Sequence, residues 1–352
     1  MVLLFQKVDV LKSCPHLLDR FLLQEEYEKP VKDMHGRIPY WASQQREIFH
    51  PSVSEYLYQI GHITPIYPQN NEFALCVTHD IDLIFKSIGQ KMMDSLESLL
   101  RKDLSSFLYE LLSFPNPKNP FYNFEEILLL EKEYGVRSTW FFQALEPGEP
   151  EFRYRLTDVS EAIKLITDAG GEIGLHGGFG TSENFELVER EKKRLEKILG
   201  KRVTGYRSHY LKFSVPHSWN ILSEAGFEYD STLGYTDCIG FRNGMCHPFK
   251  PINLKNQEYI DIIEIPLHVM EMSLFQHYMR LNIDEAFKLI REMIDAVHSC
   301  GGVFVVNWHN TGLLKESKER ILFEKILGYC EENKAWMARA DEIVKWVKNG
   351  FR

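Results

Sequence analysis

From Phe73 onward, short apolar segments alternate with longer segments in which apolar residues recur at helical spacing. The predicted strands are 73–78, 138–142, 172–175, 204–207, 227–231, 262–266 and 303–307. The predicted helices between them include 124–135, 159–171, 183–201 and 283–302, each with glycine at or near its end. Strand, helix, glycine and strand, repeated six or seven times, predict an α/β fold in which right-handed crossovers join parallel strands. The repeat favours a barrel over a small doubly wound sheet, although the pattern alone leaves both open.

The chain before this repeating region has a different character. Residues 1–70 contain scattered aromatic residues with no clear period, and the turn-rich segment YPQNN closes this part of the chain. We therefore predict an N-terminal extension, 1–70, that packs on a main domain, 71–352. A helical insertion is predicted at about 85–120, because the amphipathic run KMMDSLESLLRKDLSSFLYELL is followed by the breaker SFPNPKNP. It would cover the barrel mouth or side; a membrane-surface helix is the alternative, which its few Lys and Arg disfavour.

Composition narrows the classes of protein that fit. Apolar residues make up 44% of the chain, enough for a large core, and a net charge of -9 argues against a nucleic-acid partner. No segment approaches the ~20 apolar residues of a membrane span. The apolar run near the N-terminus is shorter than the stretch of about 7–15 residues in a signal peptide, so we expect a cytoplasmic protein. The six cysteines form no C-x-x-C pair and are expected to be buried free thiols.

Polar residues with catalytic potential follow several of the predicted strands. They are Asp80 and Asp82 beside His79, then His176, then Arg207 with His209 and Tyr210, and finally His309. Each also has a structural interpretation. An acid pair can cap a helix, a single buried His can have its ring nitrogens hydrogen-bonded within the core, and an Arg can lie at the surface. In a parallel barrel, however, functional groups gather at the C-terminal ends of the strands. Carboxylates and imidazoles brought together there predict a divalent metal, most simply zinc, together with an acid and a base.

Several short motifs, in the same order, resemble the polysaccharide deacetylase superfamily (NodB homology, carbohydrate esterase family four). They are ILLLEKEYGVRSTWFF, ITDAGGEIGLH, AGFEYDST and ARADEIVKWV, and the similar region runs from Phe73 to the C-terminus. The segment THDID further resembles a bacterial branch that reads T-H-D-[VI]-D and often serves in surface-polysaccharide assembly. The resemblance implies an incomplete or distorted (β/α)7 barrel and a metal-dependent deacetylase.

The resemblance implies roles for the acid pair. The family's T-F-D-D motif supplies a catalytic base followed by a metal ligand. Asp80 matches the base. Because Ile81 follows it, the ligand role would pass to Asp82.

The second metal motif of the family is only half present. His176 matches the first His of H-x-x-x-H, but Gly180 stands at the second. We expect His209, in the block that matches the family's R-x-P-[YFW], to replace the missing ligand. His79 is the other candidate.

The remaining roles follow from the same resemblance. Arg207 matches the Arg that orients the base, and His309 resembles the late His that acts as general acid. Tyr210, Arg242 and His79 are candidates for contact with a carbohydrate substrate; Arg242 could equally belong to a structural loop.

These roles predict removal of an N-acetyl group from a sugar or surface-polysaccharide precursor by metal-activated water. Two alternatives stay open. The same site could hydrolyse another C–N amide bond, or the missing second His could mark an inactive carbohydrate-binding or scaffold protein. The oligomeric state, the exact substrate and the identity of the metal are also open.

Overall fold

A computed structural model describes residues 8–28, 31–85, 120–275 and 278–351 of the chain. The helical insertion predicted at about 85–120 therefore lies almost entirely outside the described residues. Within these ranges, no helix combines the length and apolar character needed to cross a bilayer.

The centre of the fold is a nine-stranded sheet in which every strand pair is parallel. Its strands are β1 (Phe73–Ile81), β2 (Thr139–Phe142), β3 (Glu172–Gly177), β4 (Gly205–Ser208), β5 (Tyr229–Asp230), β8 (Ile263–Glu264), β9 (Val269–Met270), β10 (Val303–Asn307) and β11 (Ala335–Met337); β6 (Ile252–Asn253) and β7 (Glu258–Tyr259) form a separate hairpin. The order in the main sheet is β8-β5-β4-β3-β2-β1-β10-β9, and β11 pairs with β1. The sheet with its helices forms a half-barrel, so the prediction of an incomplete α/β barrel is confirmed.

All seven predicted strands are present. The fifth and sixth are shorter than predicted, with two residues each in β5 and β8. Four further strands, β6, β7, β9 and β11, were not predicted, because strands of two or three residues are too short to show a period.

Eleven α-helices are found in the described part of the chain. They are α1 (Pro15–Phe21), α2 (Gln24–Tyr27), α3 (Ser52–Gln59), α4 (Phe124–Glu133), α5 (Ser160–Asp168), α6 (Phe185–Leu199), α7 (His217–Glu224), α8 (Glu271–Phe275), α9 (Ile283–Ser299), α10 (Lys318–Glu332) and α11 (Ala340–Lys348). The N-cap of α6 is Asn184, whose side chain accepts a hydrogen bond from the Leu187 N–H, and its C-cap is Gly200 in a left-handed conformation. These are the usual start and stop signals of a helix.

The segment before β1 packs directly on the barrel. The rings of Phe21 and Phe249 lie 5.3 Å apart, and Tyr67 stacks on Trp346 at 4.6 Å. Arg20, which is buried, donates a hydrogen bond to the Phe241 carbonyl. Apolar residues from this segment therefore belong to the same core as the strands.

Candidate active site

The two faces of β1 separate residues that are adjacent in sequence. Side chains alternate along a strand, so Thr78 and Asp80 face the inside of the half-barrel and His79 faces the surrounding helices. The ring of His79 is fully buried, with Nδ1 2.7 Å from the Trp308 carbonyl and Nε2 2.8 Å from Glu131 on α4. The expectation that His79 binds metal or substrate is thus corrected, because both ring nitrogens are engaged on the outer face.

Asp82, His176 and His209 converge from the C-terminal ends of β1, β3 and β4. Nε2 of His176 lies 3.1 Å from Oδ1 of Asp82, and Nε2 of His209 lies 3.6 Å from the same oxygen. One donor atom from each residue lies within 4.8 Å of the other two. The structure therefore brings together the three residues that the sequence analysis named as metal ligands.

Contacts behind the imidazole of His176 fix which nitrogen faces Asp82. Its Nδ1 lies 3.1 Å from the Arg207 carbonyl, which can only accept, so Nδ1 carries a hydrogen and Nε2 is the nitrogen that faces Asp82. Burial raises the pKa of a carboxyl group, but the imidazoles of His209 and His176 hold the pKa of Asp82 well below its usual range. An ionised carboxylate with two imidazoles is a donor set that suits zinc.

The backbone conformation at Gly180 does not favour a His at that position. Gly180 has φ +77°, a left-handed conformation in which a His would be strained. The turn after β4 instead carries the buried imidazole of His209 to Asp82. A His in place of Gly180 would be strained, and in this chain it is His209 that brings a further imidazole to Asp82.

Asp80 is held at both carboxylate oxygens. Nη1 of Arg207 lies 3.4 Å from Oδ1, and Nδ2 of Asn307 donates to Oδ2 at 2.9 Å. Arg207 is fully buried and also donates to Thr78 and Ser231. Asn307 was not among the predicted site residues, although its position at the C-terminal end of β10 could have indicated it.

His309 is held by a carboxylate that the sequence analysis also missed. Its Nδ1 lies 2.7 Å from Oε1 of Glu271, and its Nε2 lies 3.5 Å from Oδ2 of Asp82. Burial lowers the pKa of an imidazole, but Glu271 and then Asp82 outweigh it and raise the pKa of His309 to about 10. Glu271 directly follows β9, whose shortness hid this strand end from the sequence analysis.

A cavity of about 220 Å³ opens over these residues. Its lining includes Asp80, Asp82, His176, His209 and His309, together with His35 and Arg37 from the N-terminal segment and Tyr210, Thr236, Met270, Met272 and Tyr278. The Tyr210 ring stacks on His209 at 4.0 Å and on His35 at 4.9 Å. Tyr210 therefore lies in the cavity, as expected of a substrate contact, and the segment 1–70 contributes His35 and Arg37 to the lining, which the sequence did not indicate.

Arg242 lies elsewhere. Its guanidinium is buried, pairs with Glu26 and donates to the Gly234 carbonyl at 2.9 Å. Arg242 is not among the described residues that line the active-site cavity. The expected substrate contact is replaced by a structural one, because the ion pair uses the charge of Arg242 to join α2 to the loop after β5.

Comparisons with known proteins agree with this architecture. No family model matches the chain. A peptidoglycan deacetylase from Helicobacter pylori is 29% identical over 118 residues, which are 32% of this chain and 37% of that protein. The match thus spans little more than a third of the relative's length.

Solved structures match over most of the chain. A polysaccharide deacetylase, so named, from Mycobacterium smegmatis has a TM-score of 0.56 at 20% identity and covers 82% of this chain and 94% of its own. Puue allantoinase has a TM-score of 0.55 at 16% identity, covering 91% and 99%. A probable polysaccharide deacetylase from Pseudomonas aeruginosa PAO1 has a TM-score of 0.54 at 14% identity, covering 91% and 98%. The resemblance seen in the sequence is confirmed, and the chain has the fold of the polysaccharide deacetylase superfamily.

Proposed function

We propose that this protein is a zinc-dependent hydrolase that removes an N-acetyl group from a sugar. The observation that carries the proposal is the convergence of Asp82, His176 and His209 beside Asp80 and His309, all in the lining of one cavity. A zinc site in an enzyme commonly uses three protein donors and leaves one position for water or substrate. The donor set present here fits that description.

Asp82, His176 and His209 would hold the cation, which would supply Lewis-acid polarisation of the acetyl carbonyl when bound. Asp80 would accept a proton from the attacking water, since Arg207 and Asn307 fix its two oxygens and keep it oriented.

His309 would act at the other side of the scissile bond. The Glu271 contact at Nδ1 leaves Nε2 facing the cavity, where a protonated imidazole can donate to the leaving amine. The C–N bond breaks as water adds to the acetyl carbon, and the products are acetate and a free amino sugar.

The cavity wall supports a carbohydrate as substrate. Tyr210 and His35 present stacked rings, and Tyr278 adds an exposed aromatic ring to the lining. Aromatic side chains combine an apolar face with a polar edge or tip, which suits the two faces of a sugar ring. The similarity to a peptidoglycan deacetylase favours a cell-wall glycan, whereas a cytoplasmic location would favour a nucleotide- or lipid-linked precursor.

The test is acetate release by metal-free and zinc-loaded protein. The substrates are N-acetylglucosamine oligomers, peptidoglycan fragments, a nucleotide-linked N-acetyl sugar and, for the alternative C–N chemistry, a cyclic ureide. We expect zinc-dependent release of acetate and amine in equal amounts from at least one glycan, slowed by roughly 10²–10⁴-fold in Asp80→Asn. Glycan binding without any hydrolysis would support the inactive carbohydrate-binding alternative and overturn this proposal. Cleavage of the ureide alone would redirect it to cyclic amides.

A further inference from the structure

A second group of metal-ligating side chains lies at the opposite end of β10 from His309. Cys246, His247 and Cys300 are fully buried, and none of them lines the active-site cavity. The N–H of Val303, the first residue of β10, donates to the Cys246 carbonyl at 2.9 Å, which places the group at the start of the strand. The group is therefore separate from the proposed catalytic site.

The donor atoms already stand at the spacing of ligands around one ion. The sulfur atoms of Cys246 and Cys300 lie 3.5 Å apart, and Nδ1 of His247 lies 3.8 Å from the Cys246 sulfur. All three atoms lie within 4.8 Å of one another. Zinc–sulfur bonds of about 2.3 Å in tetrahedral geometry put neighbouring ligand atoms roughly 3.5–3.8 Å apart. The sulfur–sulfur distance is, in contrast, far longer than the roughly 2.05 Å of a disulfide.

The surrounding hydrogen bonds prepare the imidazole for coordination. Nε2 of His247 lies 2.9 Å from the Gly301 carbonyl, so Nε2 carries the hydrogen and Nδ1 directs its lone pair towards Cys246. The Ser54 hydroxyl accepts hydrogen bonds from the N–H groups of both Cys246 and His247, at 2.9 and 3.2 Å. The imidazole of His247 and the main chain of Cys246 and His247 are thus held in place before any ion binds.

The electrostatics favour a divalent cation. α9 ends at Ser299, and Cys300 is its C-cap, where the helix carbonyls carry partial negative charge and attract cations. Two thiolates and a neutral imidazole around a divalent ion sum to zero net charge. A monovalent ion such as Cu⁺ would leave one buried negative charge, which is costly.

We propose that Cys246, His247 and Cys300 form a structural zinc site, which ties the loop before β6 to the end of α9. The cluster supplies three of the four donors usual for such sites. The buried site would bind its ion through sulfur, whereas the donors in the catalytic cavity are oxygen and nitrogen. A spectroscopic signal that requires a sulfur ligand therefore reports on the buried site alone.

Cobalt(II) loading of the full-length, metal-free protein tests the proposal. Only a thiolate ligand produces sulfur-to-cobalt charge transfer in the near ultraviolet, so the wild-type spectrum should show this band. Asp82→Ala should keep the band, and so should Cys330→Ser, a control at another fully buried cysteine. Cys300→Ser should lose it. Zinc analysis should give two equivalents in wild type and one in either Asp82→Ala or Cys300→Ser.

A wild-type spectrum without the band would overturn the proposal even if the variants failed to fold. So would a band that survives in Cys300→Ser, or a Cys246–Cys300 disulfide in protein purified without reductant. The catalytic site is read out separately: one zinc equivalent in Cys300→Ser together with none in Asp82→Ala would refute the buried site and leave the proposed hydrolase intact.

Discussion

Nδ1 of His309 and the main-chain N–H of the same residue both contact Oε1 of Glu271, at 2.7 and 3.1 Å. One carboxylate thus fixes the orientation of the ring and its tautomer, and it directs Nε2 into the cavity. The same carboxylate is the main reason why the pKa of His309 is raised to about 10.

The first prediction follows from this pair. His309 must be protonated to act as the acid, so activity should fall as the pH rises through its pKa. Glu271→Gln removes the negative charge and should move this alkaline limb of kcat/KM down by about 1–3 pH units. The measurement is a pH–rate profile, with Glu258→Gln, at an exposed position, as the control. An alkaline limb that does not move would show that His309 is not the acid.

Asp80 allows a second prediction that separates chemistry from metal binding. Both of its oxygens are occupied by Arg207 and Asn307, and it is not one of the three converging donors. Asp80→Asn should keep zinc bound and should lower kcat by roughly 10²–10⁴-fold, the usual contribution of a general base. Loss of zinc in this variant would instead make Asp80 a ligand.

The third prediction concerns His209, which we propose as the ligand in place of the missing second His. His209→Ala removes one of three donors and should weaken zinc binding by more than the roughly 10–100-fold that follows loss of a hydrogen-bonding partner behind a ligand. Calorimetric titration in a Cys300→Ser background isolates the cavity site. His35→Ala, which removes a ring from the same cavity, is the matched control. Equal zinc affinity in the two variants would remove His209 from the ligand set.

The fourth prediction concerns stability and a buried histidine outside the site. Nδ1 of His268 accepts a hydrogen bond from the Val305 N–H at 3.1 Å, and burial lowers the pKa of His268 to about 3. The folded state therefore holds this imidazole neutral. Its contribution to stability is complete above the ordinary pKa of about 6.5 and is lost as the pH falls towards 3.

When the pH falls from 7 to 5, the depressed pKa of His268 alone should lower the free energy of unfolding by about 2 kcal/mol. Urea unfolding of wild type and His268→Gln at both pH values measures it, because contributions from other groups cancel in the difference. Equal losses of stability in the two proteins would contradict the assignment.

Much of the fold could be predicted from the sequence because β1, β3 and β10 are long enough to show apolar runs, and glycines mark the ends of the helices between them. The rule that polar residues gather at the C-terminal strand ends then placed Asp82, His176 and His209 at one point. β9 was too short to show a pattern, and Glu271 was missed with it.

Other features of the site depend on side-chain direction and long-range packing. Neighbours in sequence diverge in space, since Asp80 enters the cavity while His79 meets Glu131 on the outer face. Arg242 is drawn to Glu26, a partner far away in the sequence. His35 reaches the cavity only because the N-terminal segment folds back across the barrel, and no local pattern records that path.

The most direct test of the proposed catalytic zinc site in the cavity is a crystal structure of the zinc-loaded protein, with anomalous scattering measured at the zinc absorption edge. We predict a peak at the floor of the cavity, about 2.0–2.2 Å from one oxygen of Asp82 and from the Nε2 atoms of His176 and His209. A well-occupied zinc elsewhere in the molecule with no peak at this point, or a peak here that His209 does not contact, would contradict the account.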